Sequence, residues 1–244
     1  MALRRVFVDW IRGDAAGVGG ARAHHLTHVA RLRTGERVEI SDQRQLYVAS
    51  VKTAGAEQVE FAILERLAAP APPFPIVLQA AIFQFARFEW MLEKTSELGV
   101  GTIVPVATAL SEKGLIQAAA KRVSRWRKIA EEAAQQSRRL SAPAVEDIQS
   151  FEQAIRFGRG PLRLLLDNDA SALKHVLSGV PTGEEGYSAY LLVGPEGGWT
   201  DSERERARAA GYTPVGLGTG ILRAETAALT AVAIAAHLLS RDLA

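Results

Sequence analysis

Cysteine is absent from the 244 residues of the chain. That excludes disulfides, thiolate metal sites and any reaction running through a cysteine nucleophile. An apolar run of the roughly 18–20 residues that cross a bilayer is also missing, and the N-terminal MALRRVFVDWIRG lacks a signal peptide's apolar centre and small-residue cleavage site. The composition therefore predicts a soluble, cytoplasmic protein with no membrane partner. Net charge is scarce too, only +2, although 48% of the residues are apolar. Disorder is excluded, and the length suffices for one large domain or two small ones, each with its own core. What charge excess exists is local. Between positions 111 and 140, Lys113, Lys121, Arg122, Arg125, Arg127, Lys128, Arg138 and Arg139 face only Glu112, Glu131 and Glu132. Such a run suits either a solvated helix face or a polyanionic partner.

The first part of the chain reads as short strands. β-Branched residues with partial alternation occur at 6–8, 37–40, 46–51 and 59–64, separated by turn residues such as Thr34-Gly35 and Ala54-Gly55. One helix, at 24–32, interrupts them, and a small β-barrel over residues 1–69 is expected. Proline then occupies positions 70, 72, 73 and 75. This density stops helices and central strands, so 70–75 is expected to be a stiff linker. From 76 to 244 the pattern alternates. Continuously apolar segments at 76–83, 102–106, 162–166, 189–193 and 214–217 are interleaved with helical periodicity at 87–98, 121–137, 172–177, 201–210 and 225–239. Apolar strands with helices between them predict an α/β domain built on a mostly parallel sheet covered on both faces.

Two glycine-rich stretches follow strand candidates. LLVGPEGGWTDSE, residues 191–203, ends an apolar run in Gly194-Pro195-Glu196-Gly197-Gly198, and Thr200 with Glu203 forms a capping-box pattern at the next helix. The second stretch, Gly216-Leu217-Gly218-Thr219-Gly220-Ile221-Leu222-Arg223-Ala224-Glu225, repeats the design. In open α/β sheets ligands bind beyond the carboxyl ends of strands, so two such loops can wall one pocket; a tight turn is the plainer reading of either. GPEGG lacks the lysine and Ser/Thr of a P-loop and the GxGxxG spacing, and Glu196 repels phosphate. A ligand bearing hydroxyls, an amine or a positive centre fits better.

GPEGGWTDSE, LG-x-x-ILR-x-ETA, ELGV at 97–100 after Lys94, and HHLTHVARLRTGE at 24–36 together resemble the ribosomal RNA small-subunit methyltransferase E family. The resemblance runs in order along nearly the whole chain. It implies a SPOUT-type knotted α/β methyltransferase domain behind a PUA-like β-barrel, and S-adenosylmethionine-dependent methylation of N3 of a uridine in small-subunit ribosomal RNA. It also implies a homodimer acting on that RNA or on the assembled subunit. Carried over position by position, Leu166, Gly194, Glu196, Gly197, Leu217, Gly218, Ile221, Leu222 and Thr226 would hold the cofactor. Arg4, Arg5, Arg22, Arg31 and Lys94 would meet RNA.

Chemistry narrows the reaction. Methylating uracil at C5 generally needs a covalent cysteine adduct, which leaves nitrogen or oxygen as acceptor here. N3–H of uridine is weakly acidic, and a guanidinium aimed at O2 or O4 would favour the anion. Arg223 is the first candidate, and Arg139, which the resemblance matches to the family's arginine before a proline-containing turn, here Pro143, is the second; an arginine clamping a phosphate carries the same signature. His24, His25 and His28 lack a third ligand or an HExxH glutamate, so no metal is expected. Trp126, between Arg125 and Arg127, suits the core of an amphipathic helix better than a base stack. The chain departs from the family pattern at Gly220, where a basic residue is usual, at 109–113, where an arginine-serine run is usual, at Gln135 for glutamate and at Arg138 for glycine. A SPOUT ribose 2′-O-methyltransferase and a nonenzymatic RNA-binding assembly factor are the alternatives. The former's Asn-x-x-x-Arg element is absent, and the latter has no use for open glycine loops. The apolar last helix, 227–239 with Val232 and Leu239, is expected to contribute to the dimer interface.

Overall fold

The computed structural model describes residues 3–70, 74–158, 160–168, 170–177 and 188–239; Ala71, Pro72 and Pro73 of the expected linker lie outside them. The chain clusters into two compact units. One comprises Met1–Ala71 with Ala134–Ala142, the other Pro72–Ala133 with Pro143–Ala244.

The first unit is built on a six-stranded sheet of β1 (Arg5–Phe7), β2 (Trp10–Arg12), β3 (Ala15–Gly19), β4 (Arg37–Ser41), β5 (Leu46–Ala54) and β6 (Gln58–Leu67). Its order is β1-β4-β5-β6-β3-β2, antiparallel throughout except for β1 on β4. The expected strands appear as β1, β4, β5 and β6, while β2 and β3 are additions. Local composition hides them, because Ala15-Ala16-Gly17-Val18-Gly19 has neither bulk nor alternation. The pairing becomes legible only across the ladder. Trp10 stands opposite Gly17, and a Cβ on that glycine would lie 2.3 Å from the indole, so the ring covers the position where Gly17 has no side chain. The expected helix at 24–32 is shorter and irregular: α1 (Gly20–His24) passes into a π-helical turn, His25–Val29. Arg31, at φ 54°, then ends it, and Leu32 N–H reaches back to the Leu26 carbonyl at 2.9 Å. The His24 and His28 rings stack at 4.2 Å, as residues four apart on a helix can.

Arg5 and Glu39 are register partners across β1 and β4, and their side chains pair at 2.6 Å while almost fully buried. Arg138 also donates to Glu39, and its carbonyl accepts from Arg5. Arg138 sits at φ 58°, a left-handed conformation that suits glycine better than a side chain. Gln135, the other departure in this segment, accepts from the Phe7 backbone N–H at 3.0 Å. Burial pushes the Glu39 carboxyl up, but the hydrogen bonds from Arg138 and Arg5 outweigh it and hold its pKa below the ordinary 4.5. A depressed folded-state pKa contributes stability that is complete above pH 4.5 and is lost as pH falls toward the folded value. Glu39→Gln should therefore lower stability at neutral pH by about 2 kcal/mol and reduce the loss of stability below pH 4.5. Urea unfolding from pH 3 to 7 would check it, and an unchanged acid slope in the variant would refute the assignment.

The second unit carries a sheet in which every ladder is parallel. Its strands are β7 (Ile76–Ala81), β8 (Thr102–Ala107), β9 (Ala144–Val145), β10 (Gln149–Ser150), β11 (Leu162–Leu166), β12 (Ala189–Val193) and β13 (Thr213–Val215). The order is β10-β8-β7-β12-β11-β13, with β9 also on β8. Its helices are α2 (Phe85–Glu97), α3 (Lys113–Ala119), α4 (Val123–Gln136), α5 (Phe151–Arg156), α6 (Leu173–Leu177), α7 (Asp201–Ala209) and α8 (Ala224–Leu239). Both faces of the sheet are covered, as the continuously apolar strands require. Leu78, Leu164 and Leu191 pack with Phe88, Trp126 and Val232 on one face; Val77, Leu165 and Leu192 pack with Phe151, Trp199 and Ala207 on the other. Trp126 is fully buried 4.6 Å from Phe88, so it is a core residue. Two side chains of the last helix depart from expectation. Val232 and Leu239 are fully buried in this chain's own core, where α8 packs on α2, β7 and β12, and neither is free to meet a second subunit.

Candidate functional site

Neighbouring parallel strands β12, β11 and β13 end together, and the loops leaving them enclose a cavity of 330 Å³. That size suits a small organic ligand. Leu166, Val193 and Val215 supply the strand ends. The loop after β12 brings Gly194, Pro195, Glu196, Gly197, Gly198 and Trp199, and the loop after β13 brings Leu217, Gly220, Ile221 and Leu222. Ala224 and Ala227, three apart on α8, close one side with small side chains.

Close packing explains the glycines. A Cβ on Gly194 would stand 3.0 Å from the Trp199 ring, and one on Gly197 3.3 Å from Leu110. Gly218, at φ 139°, takes a backbone conformation that side chains avoid. Trp199, buried, donates its indole N–H to the Leu166 carbonyl at 2.9 Å and so braces the loop after β12 against the end of β11. The capping box forms as the spacing predicts. Glu203 N–H donates to Thr200 Oγ1 at 3.2 Å, and the Glu203 carboxylate accepts from Thr200 N–H at 3.0 Å. Its other oxygen accepts from Ala109 N–H at 2.9 Å, which ties the loop after β8 to the start of α7.

The electrostatics follow from three acids. Asp167 lines the cavity and pairs with Arg204 at 2.8 Å; the carboxylate raises the pKa of that guanidinium. Glu196 lines the cavity half-exposed and pairs with Arg87 of α2. Glu225 lies behind the lining, buried in the first turn of α8. Among the described residues, Arg204 is the one basic side chain of the lining, and Asp167 neutralises it. The lining is therefore ill suited to a phosphate and well suited to a ligand with hydroxyls and positive charge.

Seven residues expected to hold the cofactor, Leu166, Gly194, Glu196, Gly197, Leu217, Ile221 and Leu222, come together here. Gly218 and Thr226 do not line the cavity, and Thr226 is exposed, its place on the pocket side of α8 being taken by Ala224 and Ala227. Arg223 lies at the rim between Leu222 and Ala224; its carbonyl accepts from Ala227 N–H at 2.8 Å, and no carboxylate among the described residues pairs with its exposed guanidinium. Arg139 belongs to the first unit, half-buried, and desolvation lowers its pKa. Of the residues expected to meet RNA, Arg31 is exposed, and exposed Arg4 donates to the Ala30 carbonyl at 2.8 Å. Arg5 is buried against Glu39 and is not a surface group. Arg22 pairs with Asp9, and Lys94 is held by Glu93 at 2.6 Å and Glu97 at 2.8 Å. The sequence reading missed Asp167, Trp199, Arg204 and Arg87. Asp167 was findable, since it directly follows an apolar strand whose carboxyl end faces the site.

The sheet, the pocket at its strand ends and the sheet of the first unit define the class. A family described as "RNA methyltransferase domain" matches residues 70–236, and one described as "RNA methyltransferase PUA domain" matches 18–64. Ribosomal RNA small subunit methyltransferase E of Bacillus subtilis (strain 168) is 29% identical over 92% of this chain and 92% of its own length. The protein of the same name from Synechocystis sp. is 32% identical over 87% of this chain and 70% of its own. The crystal structure of the Neisseria gonorrhoeae enzyme of that name, bound to S-adenosyl methionine, superposes with a TM-score of 0.84 at 29% identity, covering 97% of this chain and 98% of its own. A Legionella pneumophila putative methyltransferase in complex with the same cofactor gives 0.85 at 26%, with the same coverage. The chain belongs to the ribosomal RNA small subunit methyltransferase E family.

Proposed function

We propose that the protein methylates N3 of a uridine in small-subunit ribosomal RNA, using S-adenosylmethionine. The observation that carries the reading is the strand-end cavity, with its open glycine backbone, apolar strand ends and carboxylates, in a chain whose relatives are named ribosomal RNA small subunit methyltransferase E. Bound S-adenosylmethionine supplies an electrophilic methyl group. Leu166, Leu217, Ile221 and Leu222 offer apolar surface, the glycine loops offer backbone groups, and Glu196 offers negative charge to a cationic ligand. Arg223, a rim cation with no carboxylate partner among the described residues, stabilises the uracil anion left when N3 gives its proton to solvent water. In the first unit, Arg4 and Arg31 add positive charge for the RNA backbone. The reading includes a knotted methyltransferase domain over 76–244, a barrel over 1–69 that binds RNA, and a homodimer working in the cytoplasm.

The test is methyl transfer from labelled S-adenosylmethionine to small ribosomal subunits taken from cells lacking the protein, with nucleoside analysis. Label in 3-methyluridine is expected. Label in a 2′-O-methyl nucleoside would overturn the N3 assignment in favour of ribose chemistry, and absence of label despite cofactor binding would overturn the substrate.

A further inference from the structure

Arg87, in the first turn of α2, stands between two carboxylates, Glu196 of the cavity lining and Glu225 behind it on α8. Its Nη1 donates to Glu196 of the loop after β12, and its Nε lies 3.7 Å from Glu225 at the start of α8. Glu225 is buried, one of its oxygens has no hydrogen-bond partner, and among the described residues Arg87 is the cation paired with it. Ala224 beside it and Ala227 two positions on are lining residues, as is Glu196 itself. One guanidinium thus joins the loop that carries Glu196 to the helix that carries Ala224 and Ala227. A forked, planar cation can serve two carboxylates at once, which a point charge does less well.

We infer that Arg87 is a positioning residue of the cofactor site, holding Glu196 and the loop after β12 against the start of α8 so that the cavity is formed before its ligand arrives. Preorganisation of this kind improves affinity by removing the cost of ordering a loop on binding. The inference rests on the proposed cofactor, and it predicts a sign that simple electrostatics does not. Arg87 repels a cationic ligand, so if charge were its whole effect, its removal would tighten the binding of S-adenosylmethionine. If it positions the loop, removal weakens binding.

The measurement is the dissociation constant of S-adenosylmethionine by titration calorimetry for the wild type, Arg87→Gln, Glu196→Gln, the double variant and Arg87→Lys, with thermal unfolding of each. Arg87→Gln is expected to weaken binding about fivefold, the scale of one partly exposed ion pair. The double variant should be no weaker than the poorer single one, because both substitutions break the same link. Arg87→Lys should recover part of the loss. Should Arg87→Gln fail to fold because it leaves Glu225 unpaired, Arg87→Gln combined with Glu225→Gln removes the buried charge and allows the same titration. Unchanged or tighter binding in Arg87→Gln, or effects that multiply in the double variant, would overturn the inference. A wild type that does not bind the cofactor would instead overturn the function proposed above.

Discussion

Trp199→Ala should cost about 4 kcal/mol of stability, near the middle of the range for deleting a buried tryptophan, and lower the melting temperature by roughly 10 °C. The expectation follows from what the ring touches. It is buried with its ring against Gly194 and its centroid 5.7 Å from that of the tilted Phe151 ring, and its indole N–H holds the Leu166 carbonyl. Gly194 and Leu166 are both walls of the cavity. Removing the brace should therefore weaken S-adenosylmethionine by more than about tenfold, an energy of about 1.4 kcal/mol. Trp199→Phe separates the two contributions. It keeps an aromatic ring beside Gly194 and loses the donor together with the bulk of the second ring, so about 2 kcal/mol is expected. Scanning calorimetry and titration calorimetry read both effects, and wild-type affinity in the alanine variant would show that the pocket does not depend on this brace.

Glu203→Ala is the second large effect, about 3 kcal/mol from a lost helix cap together with an orphaned buried donor. Its carboxylate is almost completely buried and accepts from Ala109 N–H, Thr200 N–H and Thr200 Oγ1. A carboxylate suits this position because it only accepts. Glu203→Gln, though isosteric, must turn an NH₂ group toward donors on one side or the other, and should recover less than half of the loss. The alanine variant also frees the loop after β8, which carries Leu110 against Gly197. Faster hydrogen exchange at the Ala109 amide should accompany the stability loss measured in urea. Unchanged exchange there would mean that the loop is held by other contacts.

The same two residues show how far the sequence could be read. Thr200 and Glu203 are three apart at the end of a glycine loop, so the cap was legible, because capping is a local interaction. That Glu203 also holds Ala109, 94 positions away, was not. Five of the parallel strands, β7, β8, β11, β12 and β13, were legible from their apolar runs, and the glycine loops from the abruptness with which those runs ended, whereas β9 and β10, two residues each, were not. β2 and β3 were not, since a ladder built on Gly17 makes sense only with Trp10 folded across it. Nor was the membership of 134–142 in the first unit, because α4 reads as one uninterrupted amphipathic helix. α5 was missed although Ser150 and Gln153 form a capping box of their own.

Charge separates the two levels most clearly. Arg5 and Arg223 are indistinguishable as residue types, yet one is buried on Glu39 and the other stands exposed at the rim of the cavity. The sequence by itself determined the periodicities, the places where strands had to end in open backbone, and the family. Only the tertiary structure decided which arginines were neutralised, which glycine neighbours became walls, and that Arg87 met Glu196 and Glu225 from 109 and 138 positions away. Periodicity and capping arise from neighbours a few residues apart, whereas burial and ion pairing depend on the register of strands distant in the chain, which no local pattern encodes.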